Sequence, residues 1–259
     1  MKILIAYYSK TQGTEKVAKY IKQELVKRNH MVDVEIIKPF KEHGFTYWSW
    51  LRMFRNECEI VSPRITDVSQ YDLILFGSPN WTKLSLPVAK YIQLLKGLNN
   101  KKVSIFSTTA FIPSIEWYFF SAYFLDLTFT RNIDSKNARG AGSLLLSSIF
   151  KKWSIDSEWG INKTKQWIDL VTAPIGSLQQ YILEHQEKEG IRSLIIGYPV
   201  IILISLIIKL VLEKYHLELF TWDQYLFLIM LILMAMFGSL LMLQRKVNIH
   251  YENIFRLWR

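Results

Sequence analysis

Ser9-Lys10-Thr11-Gln12-Gly13-Thr14 brings three hydroxyls, a lysine and a glycine into six consecutive positions, between a short apolar run and an amphipathic one. Residues of these types at the start of a helix suit an anion. The first N–H groups of a helix have no partner within it, and the helix dipole favours negative charge there. Hydroxyls add donors to phosphate oxygens, and Gly13 allows the backbone to turn closely. On local sequence alone a capped turn is an equal alternative, because Ser and Thr cap helices routinely. A second group, Gly77-Ser78-Pro79-Asn80-Trp81, offers a bare backbone position followed by a flat apolar face suited to stacking. The plainer reading is that Trp81 packs in the core. A third, Ser107-Thr108-Thr109-Ala110-Phe111, places small polar residues after another apolar run. His30, His43, His185, His216 and His250 lack metal-ligand spacing, so no metal is expected. The lone Cys58 and the absence of any CxxC pair argue against a disulfide, a zinc ribbon or a Cys-ligated iron–sulfur cluster. No side chain is singled out as a catalytic acid or base.

These groups need strands and helices to position them, and the pattern supplies both. Lys2–Tyr8 reads as a buried strand and Thr14–Arg28 as a helix with Val17, Ala18, Ile21 and Leu25 on one face. His30–Ile37 alternates Val32, Val34 and Ile36 as a second strand. Tyr71–Gly77 is a third, Leu86–Leu98 a helix and Lys101–Thr108 a fourth strand. Phe111–Phe129 is aromatic and ambiguous, Gly140–Ser148 is a candidate fifth strand, and Asn162–His185 reads as helix interrupted near Pro174. Strands alternating with helices imply a parallel sheet covered on both faces. Each of the three polar groups then falls at a strand's carboxyl end, where open α/β sheets bind ligands.

In that order and spacing, the three groups resemble the flavodoxin family. Ser9, Thr11 and Thr14 match its phosphate loop, Ser/Thr-x-Thr-Gly-x-Thr. Gln12 stands where the family has glycine, and Gly13 follows one place later. The Gly77–Trp81 group resembles the family's Gly-Ser-Pro-x-Trp loop beside the isoalloxazine ring, and Ser107–Phe111 resembles the second ring loop. The resemblance covers about Met1–Ala110. It implies a flavodoxin-like three-layer α/β sandwich with a parallel sheet, and flavin mononucleotide (FMN) as cofactor. It also implies binding residues Ser9, Lys10, Thr11, Gln12, Gly13 and Thr14 for the phosphate. For the ring it implies Ser78, Pro79, Asn80, Trp81, Thr108, Thr109, Ala110 and Phe111. A loop beginning Ser-Lys is also similar to the branch containing menaquinone-dependent protoporphyrinogen oxidase.

The chain carries a net charge of +10 and is 50% hydrophobic, with the apolar excess concentrated late. Such a charge suits nucleic acid or an anionic membrane. The segments 194–212 and 225–243 favour the membrane, and no nucleic acid is expected. About 20 apolar residues cross a hydrocarbon core roughly 30 Å thick, so each segment is long enough to span. A pair of buried helices is the alternative. The expected organisation is a flavodoxin-like domain over 1–185 and a membrane anchor over 186–259. Arg192 and the tail residues Arg245, Lys246, Arg256 and Arg259 place both ends of this hairpin in the cytoplasm. No signal peptide is read at the N-terminus. Aromatic and basic residues mix over Thr46–Arg55, where a membrane interface and a core helix are equal readings. The expected function is a membrane-anchored FMN flavoprotein, an oxidoreductase or electron carrier whose partners are membrane lipid and a quinone or membrane redox protein. The alternatives are a quinone-coupled dehydrogenase resembling protoporphyrinogen oxidase, its substrate entering along Phe111–Phe129, and a membrane-bound interaction module without FMN.

Overall fold

A computed structural model describes residues 1–44, 47–48, 57–81, 83–110, 112–113, 121–174, 206 and 210. The chain separates into two compact units, Met1–Leu178 and Gln179–Arg259, and every element below belongs to the first. The segments 194–212 and 225–243 lie outside the described residues except for Leu206 and Leu210. Most of Thr46–Arg55, together with Phe111 and residues 114–120, lies outside them as well. Among the described residues, no helix is long and apolar enough to cross a membrane.

Five strands form one parallel sheet: β1 (Lys2–Tyr7), β2 (Met31–Ile36), β3 (Leu73–Pro79), β4 (Lys102–Thr109) and β5 (Arg139–Ser147). Between and after them come α1 (Gly13–Lys27), α2 (Leu86–Leu94), α3 (Ser121–Asp134), a 3-10 turn (Lys151–Trp153) and α4 (Glu158–Thr172). The strand order is β2-β1-β3-β4-β5, which is the flavodoxin-like order. The chain therefore reverses its direction of travel across the sheet between β1 and β3.

Strand periodicity divides the core. Leu4, Ala6, Ile74, Phe76, Val103 and Ile105 face Val88, Tyr91 and Ile92 of α2 and Leu125, Phe129 and Ile133 of α3. The alternate residues face α1 and α4: Phe106 meets Trp167 with ring centroids 6.2 Å apart, and Val17, Ile21, Leu25, Ile168 and Val171 are buried there. Strands β3 and β4 are both buried along their whole length; β3 is largely an apolar run, whereas β4 buries Ser104 and Ser107 by donating their hydroxyls to Gly142 O and Ser78 O. Edge strand β2 alternates instead.

Two element bounds differ from the sequence pattern for physical reasons. Helix α2 stops at Leu94 rather than Leu98 because Leu95 turns extended and the next residue bridges to Asp67, with Lys96 N–H donating to Thr66 O at 2.8 Å. Helix α4 begins at Glu158 rather than Asn162, since Ser157 Oγ accepts the Gly160 N–H at 3.0 Å and caps it. Gly77 also changes role. A methyl group there would lie 2.4 Å from Phe106 Cζ and 2.5 Å from Tyr7 Cβ. Its bareness makes room for neighbouring side chains inside the sandwich, not for a ligand's approach.

Candidate functional site

The carboxyl ends of β1, β3, β4 and β5 meet at one rim of the sheet, beside the β1/β3 reversal. Ligands of open α/β sheets settle outside such a reversal. Gln12 is the N-cap of α1 and holds φ 62°, a left-handed conformation, without a side-chain cap. This is where the resemblance expects glycine. The loop keeps the left-handed turn and tolerates a side chain in it, at a cost of about 1–2 kcal/mol. Gln12 gives no side-chain cap, so the first-turn N–H groups of α1 receive no acceptor from it.

Ser9 supplies the clearest chemical signal. Its Oγ is enclosed by protein and has no hydrogen-bond partner. A buried hydroxyl left unpaired costs about 1–3 kcal/mol, and such a group calls for a ligand atom or another explanation. Thr11 is exposed. Thr14 is 1% exposed, and its Oγ1 lies 2.8 Å from Thr108 Oγ1. Only one hydroxyl hydrogen occupies that contact, so the second remains for another acceptor. Gly13 closes the arrangement, because a methyl group there would meet Ser148 Cβ at 3.1 Å. The helix start thus rests on β4 and on the loop after β5. An enclosed free hydroxyl, a left-handed turn and a helix N-terminus fit a phosphate group.

Lys10 is brought to the same loop but is held sideways. Its Nζ donates to Glu42 Oε1 at 3.3 Å and to His43 O. Glu42 Oε1 also accepts from Tyr8 Oη and Trp48 Nε1, each at 2.9 Å, and from His43 N at 3.2 Å. Burial by itself would raise the Glu42 pKa, but the bonds from Trp48, Tyr8 and Lys10 outweigh it and hold it below the usual carboxylate value. Tyr8 is pushed well above its ordinary pKa by burial and by its bond to Glu42. Glu42, Tyr8 and Trp48 were missed as site residues. Lys41-Glu42-His43-Gly44 reads as an ordinary polar loop, and nothing local marks Glu42 as an acceptor for four donors.

The expected ring loops are also at this rim. Trp81 is half-buried and stands edge-on to Tyr8, with centroids 6.1 Å apart and planes at 88°. It also packs against the Trp48 and Leu86 cluster, as Cys58 does. Asn80 N donates to Thr108 O at 2.8 Å, and Pro79 is paired with Thr108 in the sheet register. The Ser78 hydroxyl serves the fold, donating to Ser85 Oγ at 2.9 Å while accepting Ser85 N–H at 3.1 Å. Thr109 is buried, and its carbonyl accepts Ser148 N–H at 2.7 Å and Oγ at 2.9 Å. Ala110 is exposed, and Phe111 lies outside the described residues. Burial pushes the Cys58 thiol up to about 12, which favours the protonated form. Among the described residues, no cluster of His, Cys, Asp and Glu could hold a metal ion.

No family model and no curated protein matches the chain. Solved structures do. A flavoprotein from Lactobacillus acidophilus in complex with FMN is 23% identical, over 56% of this chain and 92% of that one, with a TM-score of 0.45. Oxidised Flavodoxin 2 from Bacillus cereus is 20% identical, over 66% and 98%, at 0.44. Two-electron reduced Megasphaera elsdenii flavodoxin is 17% identical, over 65% and 97%, at 0.42.

Proposed function

We propose that this chain binds FMN at the carboxyl rim of its sheet and works as a flavodoxin-like electron carrier held at a membrane. The observation that carries the reading is the enclosed, partnerless Ser9 Oγ beside a left-handed turn and a helix N-terminus. When bound, FMN supplies one- and two-electron redox chemistry. The protein's part is to hold and shield it. Ser9, Thr11, the first-turn N–H groups of α1 and the Thr14–Thr108 hydroxyl pair hold the phosphate. Pro79, Asn80, Trp81 and the Thr108–Ala110 turn line the ring. Trp81, backed by Tyr8 and Trp48, presents an apolar wall that keeps water off the ring's face. Glu42 fixes Lys10, Tyr8 and Trp48 in place by accepting from all three.

The membrane part of the proposal rests on the apolar segments 194–212 and 225–243 and on the basic residues that flank them, which put the flavin domain in the cytoplasm. A tether of this kind raises the local concentration of the domain near a membrane-dissolved quinone or a membrane redox protein. The test is spectroscopic. Full-length protein purified in mild detergent is expected to be yellow and to release FMN, identified chromatographically, on denaturation. Colourless protein that takes up no added FMN would favour the interaction module and defeat the redox reading. Flotation with membrane vesicles after an alkaline wash tests the anchor separately.

A further inference from the structure

The rim that surrounds the candidate site carries exposed rings on both sides. Phe40, just past the end of β2, is 75% exposed, and Ile149 and Phe150, directly after β5, are 67% and 42% exposed. Strands β2 and β5 are the two edges of the sheet, so these tips bracket the site. Tyr47 and Trp159, in the first turn of α4, are exposed at the same end. Among the described residues, the opposite end exposes Met1, Val26, Met31 and Leu94, none of them aromatic.

The β5 tip is built to present these groups. Ser147 Oγ accepts the N–H groups of Ile149 and Phe150 at 3.3 and 2.9 Å, and Phe150 packs on Trp153 with centroids 6.1 Å apart. Its shape is therefore fixed before any contact, which lowers the ordering cost of docking. Lysines flank both tips. Lys38 and Lys41 are exposed beside Phe40, Lys151 and Lys152 beside Phe150, and Lys83 lies between the two tips. Of the acids at this end, Glu15, Glu42 and Asp156 are each paired with a lysine. Glu57, Glu59 and Glu158 are further acids there, and Glu35, next to the end of β2, is buried and faces Arg64. Charge does not separate the two ends, since Lys96, Lys101 and Arg139 stand at the far one; the rings do.

We infer that this rim docks on an anionic lipid surface, with Phe40, Ile149 and Phe150 entering the interface and the lysines facing the headgroups. Rings at headgroup depth and lysines against anionic lipid are the chemistry of an interfacial contact. The inference rests on the proposed anchor, and the chain's length gives it a purpose. Helix α4 ends at Thr172, at the far end of the sheet, and residues 175–193 precede the first apolar segment. With 175–185 helical, as the sequence pattern reads, and 186–193 extended, that stretch reaches on the order of 40 Å, so the anchor alone does not decide which end of the domain meets the bilayer. The rim would decide it.

The test uses full-length protein with Cys58→Ser, reconstituted into vesicles of phosphatidylcholine, with or without phosphatidylglycerol. A polarity-sensitive fluorophore is placed at Phe40→Cys, at Ile149→Cys or, at the far end, at Asn99→Cys. Brominated lipid is expected to quench the first two labels and spare the third, with more quenching when phosphatidylglycerol is present. Reversing Lys38, Lys41, Lys151 and Lys152 to Glu should remove that gain, since each lysine shifts the docked ratio by about fivefold. Quenching at Asn99→Cys alone, or at no label, would overturn the inference. Labels at the rim that stay in water on both vesicles would point instead to a soluble protein partner. Flotation of the same samples reads the anchor, and their colour reads the flavin. A floating, yellow protein with unquenched rim labels therefore defeats the docking alone.

Discussion

Replacing Ser9 by alanine is expected to move two quantities in opposite directions. In protein stripped of FMN, the hydroxyl is enclosed without a partner. Removing it relieves a penalty of about 1–3 kcal/mol, less the small contacts that the oxygen makes. A net gain of roughly 1 kcal/mol raises Tm by about 2–4 °C for a domain of this size. On the proposed site, the same oxygen bonds a charged phosphate in FMN-loaded protein, and its loss is expected to cost about 1.5–3 kcal/mol. That corresponds to a Kd weaker by roughly 10- to 150-fold. The assays are thermal or urea unfolding of the stripped protein and a fluorescence titration with FMN, both on full-length chain in detergent. A structural hydroxyl behaves differently, because its removal destabilises the stripped protein and leaves FMN affinity alone. That pairing of results would refute the phosphate reading of the loop.

Gln12→Gly should stabilise the protein by about 1 kcal/mol, because Gln12 occupies φ 62°, and should leave FMN affinity equal or improved. A lower urea midpoint would mean that the side chain makes a contact worth more than the strain. Trp81→Ala should weaken FMN binding by about 0.5–1.5 kcal/mol beyond the lost area and raise the lower reduction potential as water reaches the ring. Affinity and potential both unchanged in potentiometric titration would leave Trp81 as a packing residue. Lys102 is 8% exposed, and burial lowers its pKa to about 8 although its Nζ donates to Ala173 O at 2.7 Å. Its folded pKa lies below the unfolded value of 10.5, so the unfolded chain binds more protons between those limits and stability rises with pH across them. The rise should be on the order of 1–3 kcal/mol and absent from Lys102→Met, as read from urea midpoints across that pH range.

The frame of the molecule was legible because its signals are local and repeated. Apolar runs announced β1 and β3, Val103, Ile105 and Phe106 after a basic turn announced β4, and the helical spacing of Val17, Ile21 and Leu25 announced α1. The carboxyl-end position of Ser9–Thr14 followed from that alternation alone. Less accessible were facts that depend on partners far apart in sequence. Nothing in Gly77-Ser78 tells that the glycine yields space to Phe106 or that the serine ties α2 to β3 through Ser85. Lys10 looked free for a phosphate, and only the folded position of Glu42 shows it engaged. At Gln12 the residue type argues against a left-handed turn, and only the glycine that the resembled loop has at that place pointed to one.

The Thr14–Thr108 contact joins residues separated by 94 positions, and Gly13 rests against Ser148, further still along the chain. The loop that is made first in synthesis is therefore completed by residues made much later. Contacts of such sequence separation form slowly, since a long loop must close before they contribute. An emerging chain can build β1, α1 and β2 while the floor of the loop is still missing. On the proposed site, FMN acts only on a chain that has already folded through β5, stabilising the finished domain by mass action without seeding its assembly. Cofactor added during refolding should leave the folding rate unchanged and slow unfolding alone.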